Sequence, residues 1–384
     1  MSYNNIFVLS DGTANGYLSS YTNVLRLNKL LKAAIGKNSS FVTNHLRYFQ
    51  GVGVQHGEGT AYLLKNFASA DDIFDKINEI YRYISEKYNP DPLVTNRIWI
   101  FGFSRGAFTS RAVAELINRV GVIRLDYKGS RLTDKTWDAL SLRAYHFLYA
   151  RKEAVDLRAP VFYNDFSHAG SRSSVFFLGL WDTVGAVGTP DIITGYGVEF
   201  TELLKYEYIS PTIKFAFHAL ATHENMATFE PIHIFKKNCS LDDSDDNGEE
   251  NGEEKRLLAE QVIEERFFPG YHLDVGGYIG SQPIPDASLN WMIDSINRVP
   301  ERERGFVLHF DKDKVLFFND FINLIITIVY FIGRQIFTFM ARLSGFLQLN
   351  KVLPKFLADL VALRDRFIPG VDKSVKKITL NNYI

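Results

Sequence analysis

Short runs of apolar residues, each stopped by a polar residue, recur along the first half of the chain. They cover residues 5–10, 97–103 and 174–181, and they are rich in β-branched and aromatic side chains. Runs of this length and composition are typical of buried strands. The residues that directly follow the three runs are Asp11, Ser104 and Asp182. We therefore predict three buried strands, each ending at a polar side chain.

Apolar residues at helical spacing predict helices between these strands. One helix is expected from Val24 to Ala34, with Gly36 as its stop, a second from Asp72, and a third from Ser104 through Leu116. The second is the most regular, because its isoleucines recur at steps of four, three and four: Ile73, Ile77, Ile80 and Ile84. Strands alternating with helices predict an α/β fold with a mainly parallel central sheet flanked by helices.

Two regions differ from this alternating pattern. Residues 242–254 (DDSDDNGEENGEE) are acidic and have nothing to bury, which predicts a solvated, mobile insertion at about 240–256; calcium binding is the weaker alternative. Residues 299–384 are expected to form a helical C-terminal region following a catalytic domain at 1–298. The uncharged stretch 321–333 in this region is shorter than the ~20 residues of a membrane-spanning helix.

The apolar part of the C-terminal region, residues 319–343, has its polar residues on a narrow strip of a helical wheel. This pattern predicts an amphipathic helix with a broad apolar face. Two interpretations stay open: the helix packs on the core, or it acts as a lid or membrane-contact element.

Composition narrows the class of protein. Of 384 residues, 46% are hydrophobic and 23% are charged, and the formal net charge of -1 gives no basic excess for binding nucleic acid. The single cysteine, Cys239, excludes an intramolecular disulfide and a multi-cysteine metal site. The first residues lack a basic segment followed by an apolar one, so we expect cytoplasmic synthesis without a signal peptide.

Ser104 stands in the sequence Gly102-Phe-Ser-Arg-Gly106, which fits the G-x-S-x-G pattern of a nucleophile elbow. In an elbow the serine occupies a sharp turn between a strand and a helix, and the glycines remove Cβ atoms that would collide with neighbours. Here the pattern follows a predicted strand and begins a predicted helix. A tight glycine turn without catalysis is the alternative.

A nucleophilic serine needs a histidine base and an acid that orients it, and in α/β-hydrolases they follow in the order Ser, Asp or Glu, His. Asp182 ends the last predicted strand, and His272 lies in a later glycine-rich loop, so these two are the predicted acid and base. His218 is predicted to be a core residue on a helix face, and His309 lies beyond the expected sheet. The remaining histidines are less suited by order or context: His45, His56, His146, His168, His223 and His233.

An oxyanion hole requires two N–H donors directed at the developing alkoxide. We predict the backbone amide of Arg105 as one donor and that of Gly12 or Thr13 as the other. Asp11 is expected to brace its loop or to act directly, and both interpretations stay open. Asp274 is predicted to support the histidine loop. The Arg105 side chain is expected to pair with a carboxylate or to meet a phosphate head group.

Six segments resemble motifs of the α/β-hydrolases known as the first class of type VI secretion lipase effectors, and their relatives. The segments are DGTAN at 11–15, TNV at 22–24, YFQGVG at 48–53, GFSRGA at 102–107, GLWDTVG at 179–185 and PGYHLDVGG at 269–277. SLNWMI at 288–293 is similar to the segment that follows the histidine loop in the family. The acidic insertion and the residues after about 295 match no motif of the family.

The resemblance implies a triad of Ser104, Asp182 and His272, phospholipase activity, no cofactor or metal, and an immunity or delivery protein as partner. The predicted function is hydrolysis of phospholipid acyl esters at a membrane surface. Relatives of the family also occur outside secretion systems, so two interpretations stay open: a secreted antibacterial effector delivered to a target cell, and a protein peripherally associated with a membrane. Two alternatives are an esterase of small soluble esters and a catalytically inactive protein that binds a membrane or partner.

Overall fold

The computed structural model describes residues 2–12, 22–36, 41–51, 71–127, 129–148, 152–185, 208–224, 231–236, 257, 259–277 and 283–310. The predictions for Thr13, for the acidic insertion and for the apolar helix at 319–343 lie outside these residues.

The described residues contain ten strands and eight α-helices. The strands are β1 Ser2–Ser10, β2 Val42–Phe49, β3 Val94–Phe103, β4 Asp126–Tyr127, β5 Ser130–Arg131, β6 Val175–Trp181, β7 Tyr208–Ile209, β8 Phe215–Ala221, β9 Phe235–Lys236 and β10 Val262–Phe268. The helices are α1 Asn23–Ala34, α2 Asp71–Lys87, α3 Arg105–Val120, α4 Asp134–His146, α5 Lys152–Phe166, α6 His272–Gly276, α7 Pro283–Asn297 and α8 Glu301–Arg304.

Six strands form one sheet in the order β10-β8-β6-β3-β1-β2, and every pair of neighbours is parallel. The prediction of a mainly parallel sheet is confirmed. Since the carboxyl ends of parallel strands lie at one edge, the loops after β1, β3, β6, β8 and β10 are neighbours there.

Side chains that alternate along the strands bury two different cores. On β1, Ile6 and Val8 belong to the core that α2 and α3 cover, whereas Phe7 and Leu9 belong to the core covered by α1 and α7. This second core is aromatic. A row of rings crosses four strands with centroid separations of 5.3–5.5 Å: Phe7, Trp99, Phe177 and Phe217. The predicted flanking helices are thus present on both faces of the sheet.

The start of the predicted C-terminal region packs on the aromatic core. Phe306 is buried and lies edge-on to Phe7, with their ring centroids 5.5 Å apart. The domain boundary at 298 stays a prediction. Within the described part of the chain, no helix combines the length and apolar character that crossing a membrane requires.

Candidate active site

The turn between β3 and α3 holds Ser104 in a strained conformation. Its φ is 58° and its ψ is -126°, values that a residue with a side chain rarely adopts. The two glycines of the elbow make room for the turn. A Cβ on Gly102 would lie 2.5 Å from the carbonyl oxygen of Gly106, and a Cβ on Gly106 would lie 2.3 Å from the carbonyl oxygens of Ser10 and Asp11.

Ser104, His272 and Asp182 form a continuous line of hydrogen bonds. The Nε2 atom of His272 lies 2.8 Å from the Oγ atom of Ser104, and its Nδ1 atom lies 2.6 Å from the Oδ2 atom of Asp182. Because a carboxylate can only accept, Nδ1 carries the imidazole proton and Nε2 accepts from the serine hydroxyl. The three residues are almost fully buried, with 6%, 2% and 0% exposure for Ser104, His272 and Asp182. The predicted triad residues are therefore brought together, in a site where low dielectric strengthens their interactions.

Asp182 sits in a second strained turn, at the end of β6, with a φ of 41°. Its backbone N–H donates to the carbonyl oxygen of Ala219 over 2.7 Å, and its Oδ1 atom accepts from the N–H of Ala221 over 2.9 Å. Both partners belong to β8, so the neighbouring strand holds the backbone and the side chain of the acid. The Oδ2 atom of Asp182 is thereby directed at His272.

His272 begins the short helix α6, immediately after the loop that follows β10. Asp274 accepts the N–H of Tyr271 at its Oδ2 atom over 2.8 Å, which places the predicted supporting residue at the N-terminus of this helix. The imidazole lies against the Phe103 ring, with centroids 4.8 Å apart. A further carboxylate, that of the buried Glu224, accepts the backbone N–H of His272 over 3.3 Å.

Asn23, at the start of α1, contacts the other end of the histidine helix. Its side-chain amide lies 3.0 Å from the Val275 carbonyl oxygen and 2.8 Å from the Oγ atom of Ser288. Gly277 has a φ of 88°, and a Cβ there would come within 2.5 Å of Asn23. The sequence carried a signal for this contact, since the TNV and DVGG segments both belong to the family motifs, but it did not indicate that they touch.

Asp11 braces the loop after β1. Its carboxylate accepts the hydroxyl groups of Thr22 and Tyr48, both over 2.5 Å, and the backbone N–H of Gly12 over 2.7 Å. The Gly12 amide, one of the predicted oxyanion donors, is thus hydrogen-bonded to Asp11 in this structure. Arg105 is the first residue of α3, and backbone N–H groups in the first turn of a helix have no acceptor within the helix.

The prediction that His218 lies on a helix face is wrong. His218 belongs to strand β8 and is fully buried. Its Nε2 atom accepts the backbone N–H of Thr183 over 3.0 Å, and its Nδ1 atom lies 2.9 Å from the Oε1 atom of Glu265. A short apolar run such as FAFHALA does not distinguish a buried strand from a buried helix, so sequence reasoning missed these contacts beside Asp182. Among the described residues, no three His, Cys, Asp or Glu side chains are grouped to hold a metal ion.

Comparison with known proteins identifies relatives of limited overlap. An uncharacterized protein of Saccharomyces cerevisiae, YEL023C, is 28% identical over 194 residues, which is 48% of this chain and 27% of that protein. A crystal structure of an uncharacterized protein from Pseudomonas aeruginosa shares 18% identity with a TM-score of 0.39, covering 82% of this chain and 47% of that one. The structure of the Tle1 effector bound to the VgrG spike of the type 6 secretion system shares 20% identity with a TM-score of 0.34, and the match covers 74% of this chain and 52% of that one.

The chain therefore spans about a quarter of the yeast protein and about half of each of the two solved chains. A family model also matches most of this chain. The model of the Tle1-like phospholipase effector of the type VI secretion system, catalytic domain, matches residues 4–295, which include Ser104, Asp182 and His272. The chain belongs to the family of Tle1-like phospholipase effectors, through their catalytic domain.

Proposed function

We propose that this protein is a serine hydrolase that cleaves acyl esters of membrane phospholipids. The observation that carries the proposal is the hydrogen-bonded line from Ser104 through His272 to Asp182, which begins at a strained nucleophile elbow. Membership of a family of phospholipase effectors supports the choice of phospholipid as the substrate.

In the acylation step, the Oγ atom of Ser104 attacks the ester carbonyl carbon while the Nε2 atom of His272 takes the hydroxyl proton. Asp182 accepts the Nδ1–H of the imidazole, so that it fixes the tautomer and stabilises the imidazolium that forms. The imidazolium then gives its proton to the departing alkoxide, which leaves as a lysophospholipid. Water, activated by the same imidazole, releases the fatty acid from the acyl-enzyme.

The negative oxygen of the tetrahedral intermediate needs donors at the elbow. The amide of Arg105 follows the nucleophile directly and lies at the N-terminus of α3, where the helix dipole favours negative charge. The loop after β1 is the proposed source of the second donor. Because the Gly12 amide donates to Asp11, its use in the oxyanion hole would require that hydrogen bond to be exchanged for one to substrate.

The test is fatty-acid release from mixed phospholipid vesicles. We expect Ser104→Ala to reduce release by about 10⁴-fold or more, because the nucleophile and its proton transfer are lost together. Ser173→Ala is the matched control, since Ser173 is exposed in a 3₁₀ turn before β6 and its loss should leave the rate unchanged.

Release that persists in Ser104→Ala would contradict the proposed mechanism. Cleavage of short soluble esters without any release from vesicles would keep the triad and contradict the phospholipid substrate. Identification of the released lysolipid would establish which acyl position is cleaved.

We propose further that the protein acts in a cell to which it is delivered, with the membrane surface as its site of action and a delivery or immunity protein as partner. Family membership supports this, because the family model that matches is that of a type VI secretion phospholipase effector, Tle1-like. Expression in bacteria with and without export to the periplasm tests the proposal. Growth inhibition that requires export and is absent in Ser104→Ala is the expected result, and equal growth of exported wild type and Ser104→Ala would contradict it.

A further inference from the structure

A buried polar chain lies directly behind the acid of the Ser–His–Asp line. Thr183, the residue after Asp182, donates its backbone N–H to the Nε2 atom of His218 over 3.0 Å. On the other side of the same imidazole, the Nδ1 atom lies 2.9 Å from the Oε1 atom of Glu265 on β10. The chain thus connects the last strand of the sheet to the backbone of the turn that holds Asp182.

The partners of His218 settle its protonation state. A backbone N–H only donates, so Nε2 must be the unprotonated, accepting nitrogen, and the ring proton must lie on Nδ1, facing Glu265. Complete burial lowers the pKa of His218, which favours the same neutral form. The charged groups that face this imidazole are Glu265, Arg111 and Asp182.

Glu265 is the ionised residue at the end of this series of hydrogen bonds. Burial of its carboxyl group opposes ionisation, but hydrogen bonds from His218 and His233 prevail and lower the pKa of Glu265 to about 2. The Nδ1 atom of His233 lies 2.8 Å from its Oε2 atom, and the N–H of Ile234 donates to its Oε1 atom over 2.8 Å. These contacts fix the carboxylate and, through it, the tautomer of His218.

The turn at Asp182 needs support from both of its peptide groups. A positive φ at a residue with a side chain costs on the order of 1–3 kcal/mol and persists only where neighbours hold it. The N–H of Asp182 is bound by β8, at Ala219, whereas the N–H of Thr183 is bound by His218. Removal of the His218 acceptor would leave the N–H of Thr183 without this partner, although its carbonyl oxygen still accepts the N–H of Ile232 over 2.8 Å. The turn would then be held less firmly, and the Asp182 carboxylate could shift relative to His272.

We propose that His218, oriented by Glu265, is a positioning residue that keeps Asp182 aligned with His272. The inference rests on the proposed serine hydrolase function, but it does not depend on which ester is the substrate. The inference predicts a change in the pH dependence of the reaction of Ser104, because a displaced Asp182 stabilises the His272 imidazolium less well.

The experiment follows the second-order rate of Ser104 labelling by a fluorophosphonate probe as a function of pH. In such a profile the rate reaches a plateau and declines on the acidic side, which we call the acidic limb. For His218→Leu we expect the plateau rate to fall by about tenfold or more, and the acidic limb to move toward lower pH by about half a unit. His218→Gln keeps an acceptor at a similar reach from the backbone, so it should restore most of the plateau rate and return the limb to its wild-type position.

His168→Phe is the matched control. His168 lies beside the C-terminal end of α3, where its N–H donates to Val122, whereas Ser104 precedes the other end of the same helix. Loss of this imidazole should leave both the plateau and the limb unchanged. Because the free energy of unfolding decreases as the pH falls, acid unfolding of a destabilised variant would move the acidic side of the profile toward higher pH. That direction is opposite to the shift expected for His218→Leu, so the two effects are separable.

An unmoved acidic limb in His218→Leu, or equal impairment of His218→Gln and His218→Leu, would overturn the inference. If the wild type is labelled but releases no fatty acid, the phospholipid proposal fails. The position of the acidic limb in His218→Leu then still tests the inference. If the wild type is not labelled at all, there is no reactive serine to align, and both fail.

Discussion

At the scale of single residues, the site depends on places where a Cβ atom cannot fit. Gly106 has no unusual backbone angle among those described, yet the first turn of α3 touches the end of β1 at this residue. The elbow pattern predicted a glycine here for the space around it, and the backbone oxygens of Ser10 and Asp11 are what occupy that space.

Gly106→Ala should lower the free energy of unfolding by about 2 kcal/mol and reduce fluorophosphonate labelling of Ser104. The added methyl group must push α3 away from β1, and the elbow moves with the helix. Urea denaturation and labelling at neutral pH measure the two effects.

Gly36→Ala is the control for that substitution. Gly36 has a φ of 55° with open space around it, so its replacement costs about 1 kcal/mol of backbone strain and should not affect labelling. Normal labelling by Gly106→Ala would contradict the proposed link between this contact and the elbow.

Ser104, Asp182 and His272 could be selected from the sequence because each follows or lies within a local signature, and their catalytic roles stay predictions. His218 and Glu265 had no such signature. They come from neighbouring strands, 47 positions apart, and their contact depends on the register of β8 with β10. A polar residue inside a short apolar run does not reveal which strand lies beside it.

At the scale of elements, three of the four central strands were predictable, whereas the central strand β8 and the two edge strands were not. β1, β3 and β6 are buried on both faces over most of their length, so their sequences contain continuous apolar runs. β2 and β10 form the two edges of the sheet, and their sequences, VTNHLRYF and VIEERFF, mix charged and apolar residues. Side chains of an edge strand reach water, which removes the hydrophobic signal that identifies a buried strand.

The pairing of α1 with α7 was also beyond prediction, and a buried ion pair holds it. The Arg26 guanidinium donates to Asp286, with side-chain exposures of 3% and 20%. Asp286→Asn should reduce the free energy of unfolding by about 3 kcal/mol, because it leaves a buried cation without its counter-charge.

The exposed pair of Arg47 and Glu79 is the matched control, with side-chain exposures of 44% and 38%. Glu79→Gln should change stability by less than about 1 kcal/mol, because water screens the pair. Equal effects of the two substitutions in urea denaturation would show that burial does not govern the strength of these pairs.

At the scale of the whole molecule, titratable groups that are partly or fully shielded from water make stability depend on pH. Burial lowers the pKa of His168 to about 4 from its ordinary 6.5. Between these pH values His168 binds a proton in the unfolded chain but stays neutral in the folded protein. The free energy of unfolding therefore decreases as the pH falls from 6.5 toward 4. Glu265, with its lowered pKa of about 2, extends the loss to more acidic conditions, below 4.5.

His168→Phe should flatten the pH dependence of the urea midpoint between pH 6.5 and 4. A phenyl ring keeps the stacking on Tyr88, where the ring centroids are 4.7 Å apart, but it does not titrate. His309→Phe removes an exposed imidazole and should leave the slope unchanged. An unaltered slope in His168→Phe would contradict the assignment of this pH dependence to His168.

The positions of the three hydrogen-bonded residues also determine when the site can exist. Ser104 and His272 are 168 positions apart, and Asp182 and His272 are 90 apart. Contacts of such high sequence separation form slowly and late in folding, and a nascent chain that ends before residue 272 carries the serine without its base. We therefore expect the serine to become activated only after β10, which precedes His272 in the chain, has joined the sheet. In refolding from denaturant, recovery of Ser104 labelling would lag behind recovery of the helical circular dichroism signal. Labelling would therefore report the completion of the sheet by β10.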